Sequence, residues 1–383
     1  MKKFLKVFFT AVLIVFFCAS FFFFVREFTK TEKTEKKEVA SEKKNSKKEY
    51  KLSMIMGGDA LYHTGVYQDG KQADGSYNYD SQLSYIAPIV KKYDLAYYNQ
   101  ETILGGTQLG LSSYPTFNSP QEVGDAFVKA GFNLVSLANN HTLDKGTQAV
   151  LNSAEYWSKQ KNVMTAGSYG SAEDKTRSHI GEKNGIKYGF LAYTTTTNGI
   201  RVPTGKDYLV NVYSDEKAKA DIEAMKGKVD VIIVSMHWGV EYTHTPNEEQ
   251  KKIAAYLAEL GVNIVVGSHP HVIQPIEHIG DTVVIYSLGN FISAQNGIER
   301  RVGMLATLNI KKTVDKDQTT VEITDVGGDL VYTYYATGYK KFKVIPFYEL
   351  NNELLPDYQS IQKKYEAIIN KNDTTITVGS LQG

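Results

Sequence analysis

Five short apolar runs, each ending in a polar residue able to bind a metal ion, constrain this chain more than any other feature. They are Met54-Ile55-Met56 before Gly57-Gly58-Asp59, residues 95–98 before Asn99-Gln100-Glu101, residues 134–137 before Asn139-Asn140-His141, residues 231–234 before His237, and residues 264–266 before His269-Pro270-His271. Runs this short, broken by glycine and flanked by helical patterns, read as buried parallel strands. In open α/β sheets, sites form beyond the carboxyl ends of such strands. A carboxylate, an amide and several imidazoles converging there suit Mn, Fe or Zn better than Ca, which prefers an all-oxygen shell. The chain has eight histidines, and His141, His237, His269 and His271 all fall in this set.

The segments between the runs alternate helix and strand signals from Lys51 onward. Ser119-Pro120 followed by Glu122 marks a helix start, and Gly131 closes that helix. A second helix follows Gly146, and a third runs from about Pro246 to Leu260, ended by Gly261. Asn184-Gly185 separates two alternating runs, a hairpin signal. After Val272 the pattern is strand upon strand, at 283–288, 303–310, 319–323 and 331–335. Helices and parallel strands early, then antiparallel strands late, describe a layered α/β sandwich. Residues 351–371 carry a helical pattern that would pack on the domain's flank, and 372–383 read as a loose tail.

Residues 4–25 are apolar apart from Lys6, Thr10 and Ser20, with Lys2 and Lys3 in front. The uncharged part, 7–25, is long enough to span the hydrocarbon layer as one transmembrane helix. A cleaved signal peptide is the competing reading, against which stand the length of the apolar core and the lack of an A-x-A ending. Phe16-Phe17 before Cys18 is too bulky for a lipid-attachment site. From 26 to 50 the chain is Lys, Glu, Ser and Thr with almost nothing apolar to bury, so a flexible charged spacer is expected, with a solvated helix as the alternative. The basic excess of that stretch opposes an outside location, whereas the positive amino end favours a cytoplasmic N-terminus and an extracellular domain on a single-pass anchor in the cell membrane.

A net charge of +1 argues against nucleic acid as the main partner. Cys18 is the sole cysteine, so no intramolecular disulfide can form and the fold rests on its core. The 26 tyrosines fit a polymer-binding groove or, equally, a tyrosine-rich core.

Within the polar endings, Asn139-Asn140-His141 with Asp144 is the most specific signal. An Asn gives a metal a neutral oxygen, the adjacent His can reach a substrate oxygen, and Asp144 could orient that imidazole. An Asx-type turn with a capping Asn accounts for the same residues. Ser268-His269-Pro270-His271 can place two imidazoles on neighbouring metals, and His237 ends a similar strand. Asn290 follows a further strand and would line the pocket or close a turn. His179, His244 and His278 have no such company.

Asp94-Leu95 through Asn99-Gln100-Glu101-Thr102, Gly131-Phe132-Asn133 through Ala138-Asn139-Asn140-His141-Thr142-Leu143-Asp144-Lys145-Gly146, His237-Trp238-Gly239, Gly267-Ser268-His269-Pro270-His271 and Tyr286-Ser287-Leu288-Gly289-Asn290-Phe291 together resemble the CapA family of bacterial capsule-synthesis proteins. That family is associated with making or exporting poly-γ-glutamate, and its domain is similar to calcineurin-like metallophosphatases. The resemblance covers about residues 52–310. It implies a four-layer α/β/β/α sandwich and two divalent metal ions. It would make Asp59 and His271 ligands of the first metal, Glu101 the bridge, and Asn140, His237 and His269 ligands of the second. His141 would be the general acid. Where the metallophosphatase pattern has His two residues after the Asp, this chain has Leu61, with His63 next as a metal or substrate contact; Glu101 stands where the pattern has Asp.

The expected organisation is an anchor at 4–25, a spacer at 26–50, a metallophosphatase-like domain at 51–350 and a helix with tail at 351–383. The expected function is capsule biosynthesis with hydrolysis of a phosphate ester or polymer amide, partnered by the membrane, an anionic polymer such as poly-γ-glutamate and membrane synthase subunits. A non-catalytic polymer-binding or export subunit and a general extracellular metallophosphoesterase are the alternatives.

Overall fold

Alternation along the apolar runs decides the layering. In the computed structural model, which describes residues 2–42, 47–177, 179–316 and 318–381, Met54 and Met56 join one buried cluster while Ile55 joins another, and Leu95 and Tyr97 part from Ala96 and Tyr98 in the same way. Successive side chains of a strand point to opposite faces, so a run apolar at every position must be covered on both.

The strands are β1 (Lys48–Ala60), β2 (Leu95–Gln100), β3 (Leu134–Ser136), β4 (Met164–Ala166), β5 (Ile180–Lys183), β6 (Ile186–Thr194), β7 (Val231–His237), β8 (Ile264–Ser268), β9 (Ile276–Ile279), β10 (Thr282–Ile285), β11 (Asn290–Ile292), β12 (Val302–Asp315), β13 (Gln318–Ala336), β14 (Lys340–Pro346) and β15 (Thr377–Val378). Among the described residues they form a nine-stranded sheet, ordered β14-β13-β12-β1-β2-β3-β4 with β11 beside β1 and β15 beside β13, and a six-stranded sheet, ordered β5-β6-β7-β8-β10-β9. The five runs are parallel as expected: β1 pairs with β2, β2 with β3, and β7 with β8.

Between the sheets lies one core, where Met54, Met56 and Tyr97 meet Phe190, Ile233 and Val266. The outer face of the larger sheet is covered by helices carrying Val123, Phe127 and Trp157. The outer face of the smaller one is covered by Ala218, Ile222, Ile253 and Leu257. The architecture is therefore the four-layer α/β/β/α sandwich. Burying a side chain such as Phe127 contributes about 1.5–3 kcal/mol, and three such clusters stand in place of a disulfide.

Helix ends follow the sequence signals. Gly131, at φ +112°, closes Glu122–Ala130 by donating to the Phe127 and Val128 carbonyls. Asn247 caps Glu248–Glu259 in a reciprocal box with Gln250. Asn184 and Gly185, at φ +51° and +77°, form the two-residue turn joining β5 to β6.

Within the sheets and the tail, three features differ from expectation. The late strands are not all antiparallel, because β10 runs parallel to β8 and β11 parallel to β1. Residues 319–323 and 331–335 belong to one strand, β13; Gly327-Gly328 breaks its apolar pattern where β15 pairs alongside and where Ile369 and Met304 approach within 3 Å of a Cβ at 328. The tail is tied down: Ile376 is buried, and Asp329 accepts from Ser380 Oγ (2.9 Å) and Leu381 N (3.1 Å).

The chain divides into two units, Met1–Glu49 with Thr313–Thr320, and Tyr50–Lys312 with Val321–Gly383. The first holds a helix, Lys2–Glu42, whose segment Val7–Lys33 is long and apolar enough to cross a membrane, with its described side chains exposed. Residues 26–42, expected as part of a flexible spacer, continue that helix, since Glu, Lys and Ala are good helix formers. Residues 43–46 lie outside the described residues. The second unit holds every site residue named above.

Candidate metal centre

Each sheet contributes half of one buried cluster. From the larger sheet come Asp59 at the end of β1, Glu101 just past β2 and Asn140 past β3; from the smaller come His237 at the end of β7 and His269 and His271 past β8. Gly58 permits the close passage this needs. A Cβ there would lie 1.9 Å from the Gly289 carbonyl oxygen, and the neighbouring Asp59 N donates to that oxygen at 3.0 Å.

Two groups of potential ligand atoms share Glu101. Glu101, His237 and His269 form one, and Asp59, Glu101 and His271 the other, with the ligand atoms of each within 4.8 Å of one another. In the first, His237 Nε2 lies 2.9 Å from Asn140 Oδ1, 3.1 Å from His269 Nδ1 and 3.7 Å from Glu101 Oε1. Lone-pair atoms crowded like this repel unless a proton or cation sits among them. In the second, Asp59 Oδ2 lies 3.5 Å from His271 Nδ1, and Glu101 Oε1 3.7 Å from His271 Nε2. Both Glu101 oxygens are buried and accept no hydrogen bond from the described residues. An ionised carboxylate left so in a dry interior costs several kcal/mol, and a divalent cation relieves it. The residues therefore fit a site for divalent metal.

Outer contacts orient these groups. His237 Nδ1 lies 2.9 Å from Ser268 Oγ, which turns Nε2 into the cluster. Asn99 Nδ2 donates to Asp59 Oδ1 (2.8 Å), and His269 N donates to Asp59 Oδ2 (3.2 Å). Asn290 Nδ2 faces the Arg300 carbonyl and Gln295 Oε1, both at 2.9 Å, which fixes its amide so that Oδ1 meets His271 Nδ1 at 3.0 Å. Asn290 thus orients the His271 ring. His269 and His271 both have positive φ, +97° and +55°, sparsely populated for residues with side chains.

Electrostatics follow from burial and crowding. Burial pushes the Glu101 carboxyl well above the usual carboxylate range; His271 opposes this and Asp59 adds to it. Burial, with neighbouring imidazoles, holds His237 well below the ordinary histidine value and His269 down to about 4. For His271 burial acts downward too, but the Glu101 and Asp59 carboxylates outweigh it and push the ring up to about 9.

His141 stands beside the cluster, its Nδ1 2.7 Å from Asp144 Oδ2. His63 does not join either ligand group. It accepts from Ala294 N (3.3 Å) and packs edge-on against Phe117, which also packs against His141; burial lowers it to about 4. Asn99 and Ser268 lie inside the motifs shared with the family, and only the geometry shows them as orienting partners. Asn198 was carried by no sequence signal: its Oδ1 accepts from Asn140 Nδ2 (3.2 Å), from a loop that folds in beside the third run.

Residues 53–295 match the bacterial capsule synthesis protein family PGA_cap. The chain belongs to that family. Among curated relatives it is 30% identical over 188 residues to the PGA biosynthesis protein CapA of Bacillus subtilis strain 168, covering 47% of this chain and 48% of that protein. It is 26% identical over 274 residues to the capsule biosynthesis protein CapA of Bacillus anthracis, covering 68% and 64%. The chain therefore spans less than two thirds of either relative's length. Similar solved structures include a protein assigned as a 5′-nucleotidase from Staphylococcus aureus (TM-score 0.47, 14% identity, 82% of this chain and 58% of that one). A Candida albicans 5′-nucleotidase has a TM-score of 0.40 at 12% identity, covering 83% and 58%.

Proposed function

We propose that this capsule-synthesis family member is a metal-dependent hydrolase of capsule biosynthesis, held in the cell membrane by its amino-terminal helix with the main domain outside. Its substrate would be an anionic polymer such as poly-γ-glutamate or a phosphate ester on the route to it, and membrane synthase subunits would be its partners. Support for the polymer comes from the family match and the names of the two relatives; support for the anchor comes from the apolar helix.

One observation carries the chemistry: a buried carboxylate, Glu101, lies between two imidazole-bearing clusters with both oxygens unpartnered. In this reading Asp59 and His271 would hold one ion, Asn140, His237 and His269 would hold the other, and Glu101 would be shared between the two groups. A mixed set of carboxylates, an amide oxygen and imidazoles suits Mn, Fe or Zn. Such ions supply Lewis-acid stabilisation of charge at an attacked phosphoryl or carbonyl centre. The chain's own residues do the rest. Asp144 holds His141 through Nδ1, so the opposite ring nitrogen can give a proton to the leaving group.

The test is turnover of phosphodiesters and γ-glutamyl amides by the metal-loaded protein, beside capsule output of cells carrying His141→Ala or Glu101→Ala. Hydrolysis predicts that His141→Ala keeps its metal yet loses roughly 100 to 10,000-fold in turnover. No turnover by the wild type, with a capsule-competent His141→Ala strain, rejects the enzyme in favour of a binding or export subunit.

A further inference from the structure

Two adjacent arginines near the centre are used very differently. Arg301 is built into the fold, its guanidinium stacked 4.5 Å over Tyr332 and 4.1 Å over Tyr335, with Nε donating to the Thr333 carbonyl at 2.9 Å. Arg300 stacks too, 4.1 Å over the ring of Tyr242, but its buried Nε has no hydrogen-bond partner among the described residues. It forms a loose ion pair with half-exposed Glu299, whose Oε1 stands 3.5 Å from that nitrogen. The Arg300 side chain is 33% exposed, so solutes can reach it.

The platform beneath it belongs to the metal centre. Tyr242 lies 6.1 Å from His271, ring to ring, and its N–H donates to the Pro270 carbonyl, between His269 and His271, at 2.7 Å. Tyr242 has φ +65°, a strained conformation for an aromatic residue, and Gln295 Nε2 donates to its hydroxyl at 3.4 Å. Asn290 ties the arginine to the same imidazole, since its Nδ2 donates to the Arg300 carbonyl and its Oδ1 faces His271 Nδ1. The guanidinium is therefore held at a fixed offset from His271, one face on an aromatic ring, its Nε buried without a hydrogen-bond partner among the described residues and its side chain one-third exposed. That is the geometry in which arginine takes a planar oxyanion by paired hydrogen bonds.

We propose that Arg300 is a substrate-binding residue that holds a second anionic group, a carboxylate or a phosphate, next to the bond positioned at the metal centre. The inference rests on this centre being where substrate binds, as proposed above, and not on turnover. It makes the preferred substrate one with repeated negative charge along its length.

Calorimetric titration of the full-length, Mn-loaded protein tests this with two probe pairs: a γ-linked triglutamate and its all-amide counterpart, and a glycerol-phosphate trimer and its methyl-triester counterpart. At least one acidic probe should bind roughly tenfold or more tightly than its neutral partner, and Arg300→Gln should erase that margin. Arg300→Lys keeps the charge without the fork and should retain only part of it; this second variant covers failure of the first to fold. Which acidic probe shows the margin identifies carboxylate or phosphate. A margin that survives in both variants, or none in the wild type, overturns the proposal. Margin intact but no turnover by any protein rejects hydrolysis and leaves the Arg300 seat standing; turnover without a margin does the reverse.

Discussion

Asp144 Oδ2 lies 2.7 Å from His141 Nδ1 and accepts from Phe117 N at 2.7 Å, so one carboxylate oxygen fixes both the imidazole and the loop packed against its face. Asp144→Asn keeps the volume but removes the anionic acceptor that holds Nδ1–H while the opposite ring nitrogen carries the proton to be given. Turnover should fall by roughly 10 to 100-fold, the usual effect of losing an orienting partner. Metal content should stay at the wild-type level, and elemental analysis beside the rate measurement checks that separation.

Replacing a proposed ligand and replacing its support should differ in degree. His237→Ala or His269→Ala should empty one site, whereas Ser268→Ala or Asn290→Ala should weaken binding by roughly 10 to 100-fold. Competition against a chelator, with ions counted per chain, reads both. Equal metal content in His237→Ala and wild type would remove that imidazole from the ligand set.

Gly58→Ala tests the close passage of β1 against the Gly289 carbonyl. With only 1.9 Å available to the new Cβ, backbone must shift, and overpacking of this kind costs roughly 1–3 kcal/mol or more. A lowered denaturation midpoint is expected, accompanied by weaker metal binding because Asp59 is the next residue.

A pH effect away from the centre is expected at Lys217. Burial and, secondarily, nearby Lys175 lower its ammonium to about 8, while Asp221 and Asp207 act the other way. Between that value and the ordinary lysine value near 10.5 the unfolded chain binds the proton and the folded chain has released it, so this residue makes stability rise with pH through the window. Below pH 8 the charged form is carried in both states and its burial weighs against folding. Chemical denaturation from pH 7.5 to 9.5 should show a smaller upward slope in Lys217→Met than in wild type; equal slopes would rule out this contribution.

How much of this could be read from the chain differs by element. The strands ending at Asp59, Glu101, His237 and Ser268 were legible because a strand buried on both faces must be apolar at every position, and the switch to polar residues marks its end. The helix Asp215–Met225 was not, because only Ala218, Ile222 and Met225 of it are buried and the rest is charged. Nor was β11, three residues long, whose pairing with β1 is set by the register Asp59↔Asn290 and not by any local pattern. The same limit hid Asn198 and the Tyr242–Arg300 stack. Each depends on loops meeting across the site, which sequence spacing does not encode.

The two halves of the centre hang on different sheets, with Glu101 on one and His237 on the other. The gap between them is therefore gauged by the thickness of the apolar filling, Met54, Met56 and Tyr97 against Phe190, Ile233 and Val266. Trimming a methylene from that filling, as in Ile233→Val, would touch nothing polar yet let the sheets settle closer. For a metal held there, selectivity for one ion radius over another would be a property of the hydrocarbon interior as much as of the ligands.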